Sequence, residues 1–246
     1  MSSPRIILHG ASGRMGLAVN TAATELGLPV VAQISAHSAL NVQALVGCDV
    51  IVDFSHFDAT EALIAAAVAA GKSLVVGTTG HAPEARQRLT TLAAQVPTVW
   101  AGNYSIGVNL LYALTRRATH VLGDDFDVEL IEMHHRHKKD APSGTAVRLL
   151  DIIQCERDLG PESLRYGRAG ITGERPRDEI GVHVLRGGDV VGEHTVIYAG
   201  PGERLELTHK ASDRAIFARG SLRAAQWVVS QPAGLYDMQD VLGLKD

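Results

Sequence analysis

The feature that most constrains this chain is a short apolar run that breaks into glycines. Arg5–His9 (RIILH) leads directly into Gly10-Ala-Ser-Gly-Arg-Met-Gly16, and the stretch from Gly16 to Gly27 reads as a helix closed by glycine. A strand that turns through glycines into a helix N-terminus gathers free backbone N–H groups and the positive end of a helix dipole at one point. That arrangement suits a pyrophosphate. The spacing is GxxGxxG rather than GxGxxG, so a plain glycine turn also satisfies it. The next 75 or so residues extend the pattern. β-Rich runs at Pro29–Ile34, Asp49–Phe54, Ser73–Val76 and Thr98–Ala101 alternate with helical segments at Asp58–Gly71 and Pro83–Gln95. The strands are continuously apolar, as expected when helices cover both faces of a parallel sheet.

Further on the rhythm changes. Ile106–Leu122 is one long helical segment, Asp127–Met133 (DVELIEM) an alternating strand, and Ser143–Arg157 a helix opening on a serine cap. Ile180–Arg186, Glu193–Tyr198 and Arg204–His209 alternate with period two, as strands do when one sheet face is solvated or packs elsewhere. Asp213–Val229 reads as a last helix and Ala169–Arg177 as an exposed loop. The expectation is an α/β chain with a Rossmann-like doubly wound parallel sheet at residues 1–104. A second, α+β domain with a mixed or antiparallel sheet follows at 105–212, and a C-terminal helical segment at 213–246.

Charge narrows the function. Lys and Arg total 23 against 27 Asp and Glu, a formal net charge of −4, which argues against broad attraction to nucleic acid or to membrane. The apolar run at the N-terminus is too short for a secretory signal, and Leu63–Ala70 falls far below the roughly 20 residues of a membrane span. A cytoplasmic protein is the default expectation. The two cysteines, Cys48 and Cys155, lack metal-ligand or redox spacing and read as small buried apolar residues in a reduced compartment.

Two turns stand at the carboxyl ends of expected strands, Gly77-Thr-Thr-Gly80 and Ala101-Gly-Asn-Tyr-Ser105. Ligands of open parallel sheets lie outside those ends, and small residues with an amide suit a nicotinamide carboxamide. Ordinary strand-to-helix turns share this composition. Asp53 and His56 end another strand and read as solvated loop residues.

Glu132-Met-His-His-Arg-His-Lys-Lys-Asp-Ala-Pro-Ser-Gly-Thr145 carries the most chemistry. Three of the 11 histidines, His134, His135 and His137, lie there with Arg136, Lys138 and Lys139, followed by a Pro-Ser-Gly-Thr helix start. Proton donors and cations thus stand beside an anion-binding helix N-terminus. A substrate bearing carboxylates would meet Lys138, a histidine and the N–H groups of Gly144 and Thr145. Proton transfer would fall to a histidine or lysine whose pKa the crowded cations depress. A solvated charged loop is the bland alternative. A metal site is disfavoured by the surrounding positive charge, and a nucleic-acid patch by the lack of aromatic partners.

His134–Thr145 (HHRHKKDAPSGT) closely resembles the signature segment of the dihydrodipicolinate reductases, also called 4-hydroxy-tetrahydrodipicolinate reductases. The resemblance extends to Gly10–Gly16, Gly77–Gly80, Asn103–Asn109, Arg186–His194, Leu207–Ser212 and Gly234–Met238, in order along the chain. It implies an enzyme of the diaminopimelate route to lysine, using NADH or NADPH to reduce the dehydrated form of a cyclic 4-hydroxy-dicarboxylate. The family's proton donor/acceptor corresponds to His134 and its second proton donor to Lys138. Its substrate contacts correspond to His135, Gly144 and Thr145. Its cofactor contacts correspond to Gly10, Ala11, Ser12, Gly13, Arg14 and Met15, to Gly77, Thr78 and Thr79, and to Ala101, Gly102, Asn103 and Tyr104. It further implies a homotetramer built through the sheet of the substrate domain, and last helices that return to the dinucleotide domain. A dinucleotide-binding regulator would keep the glycine loop without needing His134, Lys138 and the helix cap together. An aldehyde dehydrogenase would need a nucleophilic cysteine, and neither Cys48 nor Cys155 is well placed for that role.

One departure from the family bears on the cofactor. Dinucleotide folds place an acidic residue about 20 positions beyond the glycine loop to grip the ribose hydroxyls of NAD, and the family often follows it with arginine. Here Gln33-Ile-Ser-Ala-His-Ser38 occupies that place with neither. Nothing there repels a 2′-phosphate, and Ser35, His37, Ser38 and Arg14 are candidates to accept one.

Overall fold

The computed structural model describes residues 3–35 and 42–245, in two compact units: one running to Ile106 and resuming at Arg214, the other Gly107–Asp213. The first unit opens with β1 (Ile6–His9), α1 (Arg14–Glu25), β2 (Val30–Ile34), β3 (Val50–Asp53), α2 (Phe57–Ala70), β4 (Ser73–Val76), α3 (Pro83–Ala93) and β5 (Pro97–Trp100). Each expected element forms, within a few residues of its expected ends. Gly71 closes α2 in the left-handed conformation (φ +62°), which a residue without a Cβ adopts at little cost.

The second unit contains α4 (Ile106–Leu122), β6 (Asp127–His134), α5 (Gly144–Arg157), β7 (Leu164–Tyr166), β8 (Ile180–Arg186), β9 (Gly192–Gly200) and β10 (Glu203–Ala211). Its sheet runs β10–β9–β6–β8–β7 and is mixed: β6, β8 and β7 pair parallel, while β9 lies antiparallel to both β6 and β10. Strand alternation gives β6 two faces. Val128 and Leu130 turn toward α4 and α5, where they pack with Leu149, Ile153 and Tyr198. Each such fully buried aliphatic side chain contributes about 1.5–3 kcal/mol. The opposite face stays half-exposed and carries Glu129, which Arg168, Arg175 and His183 surround. Burial raises the Glu129 carboxyl, but hydrogen bonds from those three side chains prevail and hold it at about 2. Arg175 belongs to the stretch expected to be an exposed loop, yet it folds back to bond Asp127, Glu129 and the Val128 carbonyl.

The chain then returns to the first unit through α6 (Ala215–Val228), β11 (Gly234–Tyr236) and α7 (Met238–Leu242). The six-stranded sheet there is wholly parallel in the order β11–β5–β4–β3–β1–β2. One face packs on α1, α6 and α7, the other on α2 and α3. From β1 the chain passes outward to β2, then across to β3 on the other side. The switch point therefore lies between β1 and β3, where open α/β sheets bind their ligands. Strands β7 and β11 and helix α7 are too short for periodicity to reveal. Cys48 is buried as expected, but Cys155 is exposed, because α5 turns Leu149, Leu150, Ile152 and Ile153 inward and leaves position 155 on its outer side.

Candidate active site

In the first unit the glycine loop opens at the switch point, and its three glycines do two kinds of work. A Cβ on Gly10 would stand 2.5 Å from the Phe54 carbonyl oxygen, and one on Gly16 would collide with that of Gly10. Both positions serve close packing. At Gly13 a Cβ would meet only the Gly10 oxygen at 3.3 Å, so this residue leaves its backbone open. Gly13 is the N-cap of α1 without a side-chain cap, the first turn carries no acid, and Ser12, Gly13 and Arg14 are exposed. Uncapped N–H groups without a competing carboxylate are what a pyrophosphate needs, so a dinucleotide fits this loop.

The neighbouring turns present backbone rather than side chains. Tyr104 is buried and its hydroxyl donates to the carbonyls of Val76 (2.8 Å) and Val99 (3.1 Å), bracing β4 against β5. Burial pushes its pKa up, so the phenol stays neutral. Thr78 donates from Oγ1 to Asp53 at 2.6 Å, the Phe54 ring fills the space beside Gly77, and Asn103 accepts the Ser105 N–H at 2.8 Å. Thr79 and Gly102 are exposed, and Ala101 is buried at the end of β5. Asp53 is fully buried rather than solvated. It takes hydrogen bonds from Thr78 Oγ1 and the Ser55 N–H, and pairs with His9 Nδ1 at 2.7 Å. Asp53, expected to be a solvated loop residue, is thus the buried partner of His9 at the end of the neighbouring strand β1. His56 instead caps α2. Of the residues suggested for a 2′-phosphate, Ser35 and Arg14 are exposed, while His37 and Ser38 lie outside the described residues.

The second unit holds the histidine segment, and β6 explains its geometry. The buried row Val128, Leu130, Glu132, His134 turns from apolar to ionisable at the carboxyl end of the strand. Glu132 is fully buried and accepts His134 Nδ1 at 2.6 Å, the Ser143 N–H at 2.9 Å and both terminal nitrogens of Arg186 at 2.8 Å. Register supplies two of the neighbours. Parallel pairing sets Arg186 of β8 beside His134, and antiparallel pairing sets His194 of β9 beside Glu132. The His134 and His194 rings meet edge to face with centroids 5.1 Å apart.

Ser143 has two tasks. Its Oγ accepts the Ala146 N–H at 3.2 Å, capping α5, and bonds His194 Nε2 at 2.9 Å. Gly144 and Thr145 begin the helix, Gly144 with its backbone exposed. Lys138 pairs with Asp140 at 2.9 Å, and His135 lies beside His137.

Electrostatics separates the histidines. Burial chiefly pushes His134 below its usual value, against the lift of Glu132, while Lys138 and Arg186 lower it further. Crowding by cations is thus the smaller cause, contrary to the expectation from the sequence. Burial drives His194 to about 3 and keeps it neutral. Burial raises Glu132, but Arg186, His134 and the Ser143 N–H outweigh it and hold the group as an anion. Glu132, Arg186 and His194 were not among the expected site residues. The period-two spacing of Glu132 and His134 was a usable signal, whereas the other two depend on strand pairing. Among the described residues no cluster suited to a metal ion occurs.

Comparison with known proteins places these features in a family. Residues 4–104 match the family model for the dihydrodipicolinate reductase N-terminus, and residues 107–242 the model for its C-terminus. A protein of Akkermansia muciniphila named 4-hydroxy-tetrahydrodipicolinate reductase is 52% identical over 240 residues, covering 97% of this chain and 98% of that one. A protein of the same name from Anaeromyxobacter dehalogenans (strain 2CP-1) is 44% identical over 265 residues, covering 98% of each. The fold is shared with a dipicolinate-bound dihydrodipicolinate reductase from Paenisporosarcina sp. TG-14, at TM-score 0.72 and 23% identity over 97% of this chain and 99% of that one. On its two matching family models and these identities, the chain belongs to the dihydrodipicolinate reductase family.

Proposed function

We propose that this chain is an NAD(P)H-dependent 4-hydroxy-tetrahydrodipicolinate reductase, producing tetrahydrodipicolinate and water in lysine biosynthesis through diaminopimelate. The observation that carries the reading is the end of β6. There a histidine clamped by a buried carboxylate stands with Lys138 and the open N-terminus of α5 in one segment. When bound, NADH or NADPH supplies the hydride.

The chain's own residues do the rest. Gly10, Ala11, Ser12, Gly13, Arg14 and Met15 hold the pyrophosphate end of the dinucleotide, and the backbone of Gly77–Thr79 and Ala101–Tyr104 lines its nicotinamide end. The N–H groups of Gly144 and Thr145 hold one substrate carboxylate at the positive end of α5. Lys138 exchanges Asp140 for the other carboxylate, and His135 adds a further contact. Hydride addition to the unsaturated ring leaves an electron-rich enamine that needs a proton. His134 delivers it, with Lys138 as the second donor. Residues 1–104 and 213–246 form the dinucleotide domain, and residues 105–212 the substrate domain. The half-exposed sheet face of the latter, with Leu185 exposed and Ile131 and Ile197 half-buried on it, builds a homotetramer. The enzyme works in the cytoplasm without nucleic acid or membrane, and no helix of the described residues is long and apolar enough to cross a membrane.

The test is an assay with enzymatically made 4-hydroxy-tetrahydrodipicolinate and NADPH, following the loss of reduced-nicotinamide absorbance. Substrate-dependent oxidation supports the reading. Tight NADPH binding without turnover would instead mark a dinucleotide-binding regulator.

A further inference from the structure

We propose that Glu132 and Arg186 are positioning residues for this chemistry, with one buried carboxylate holding both the proton donor His134 and the start of the substrate helix, and Arg186 setting how much of its charge His134 feels. The proposal rests on the reductase reading for the purpose it assigns, but not for the interactions it tests.

The geometry separates this group from a routine ion pair. Glu132 is fully buried and uses each oxygen twice. One oxygen accepts His134 Nδ1 and Arg186 Nη1, and the other accepts Arg186 Nη2 and the Ser143 N–H. Arg186 also donates to the Asp140 carbonyl at 2.7 Å, tying the loop that carries Lys138 to the same centre. A proton on Nδ1 facing a carboxylate leaves Nε2 as the nitrogen that gains and loses the transferred proton. A carboxylate that also receives the Ser143 N–H fixes the entry of α5 relative to that nitrogen. The proton donor and the anion-binding helix end are therefore held by two oxygens of one side chain.

The charged and titratable groups facing His134 come from four segments: Glu132 on β6, Arg186 on β8, His194 on β9 and Lys138 on the loop before α5. Glu132 stabilises the imidazolium, while Arg186 and Lys138 oppose it, and His194 is neutral. An opposite charge at this range moves a pKa by about 1–3 units. Arg186 both anchors the carboxylate and offsets its field. Deleting either partner breaks the same ion pair, yet the two deletions act on His134 with opposite sign.

The experiment is a histidine NMR titration of the full-length protein without substrate, the His134 signal being assigned from its loss in His134→Gln. Glu132→Gln should lower the His134 pKa by about one unit or more. Arg186→Gln, at a partly exposed position, should raise it by about half a unit or more. The alkaline limb of the kcat profile, along which a proton donor loses its proton, should move in the same two directions. At neutral pH Glu132→Gln should lose about tenfold in kcat, part of which returns at lower pH, and Glu132→Asp should restore most of the titration. Shifts in the same direction, or no shift beyond about 0.3 unit, would overturn the proposal and leave a structural ion pair. If Glu132→Gln does not fold, the sign of the Arg186→Gln shift alone decides. Wild-type protein that titrates as described but does not turn over the substrate would sink the reductase reading instead.

Discussion

Gly192 offers a way to move His134, the proposed proton donor, without touching its chemistry. It is the residue of β9 beside His134, and a Cβ placed on it would stand 2.9 Å from His134 Nε2. Ordinary contacts of such an atom fall at 3.4–4 Å, so in Gly192→Ala the ring must retreat by about 0.5 Å or more. It cannot do so freely, because its other nitrogen is held by Glu132 at 2.6 Å. A misplacement of about 1 Å at a reacting group can cost roughly 100-fold in rate, so a loss of about 10- to 100-fold in kcat is expected. Stability should change little. Replacing glycine by alanine in a strand favours folding by about 0.5–1 kcal/mol, while overpacking costs about 1–3 kcal/mol. A net loss of about 0–2.5 kcal/mol lowers Tm by less than about 10 °C in a chain of this size. The measurements are steady-state kcat, thermal melting, and NADPH affinity by fluorescence, which should stay within about twofold. If kcat stays within about twofold of wild type with an unchanged melt, the proposal that this ring is the positioned proton donor fails.

Three further outcomes can be checked. Lys138→Met and His134→Ala should each lower kcat by at least about 100-fold with cofactor affinity nearly intact; near wild-type turnover in both would remove this loop from the chemistry. Ser143→Ala deletes the α5 cap and strips buried His194 of its Nε2 partner, so its stability should fall by about 2–3 kcal/mol in denaturant unfolding. Thr145→Val should raise substrate KM more than it lowers Tm, and equal stability losses in both with no KM change would make the segment a structural cap only. NADPH should serve at least as well as NADH by kcat/KM, since Ser35 follows β2 where a ribose-binding acid would stand, and a preference for NADH above about 100-fold would mean a carboxylate reaches the ribose from elsewhere.

Much of this protein was legible without coordinates, because local rules dictate it. Apolar runs with glycines at their ends specify the βαβ units, Ser143 before Gly144 specifies the start of α5, and period-two alternation specifies the strands of the second sheet. The histidine segment likewise announced a cluster of titratable groups leading into a helix N-terminus. Tertiary structure decided what depends on pairing across the chain. Asp53 looked like a solvated strand end until β1 brought His9 to it and Thr78 closed over it. Cys155 looked buried until the packing of α5 chose a different face. Arg186 and His194 lie 52 and 60 residues beyond His134, and only the register of β8 and β9 brings them to it. Even the cause of the low His134 pKa changed, from neighbouring cations to burial, because desolvation is a property of the packed interior. A sequence states which groups are present and how adjacent ones repeat. Which of them lose water together, and which face each other across a sheet, is settled only when the strands pair.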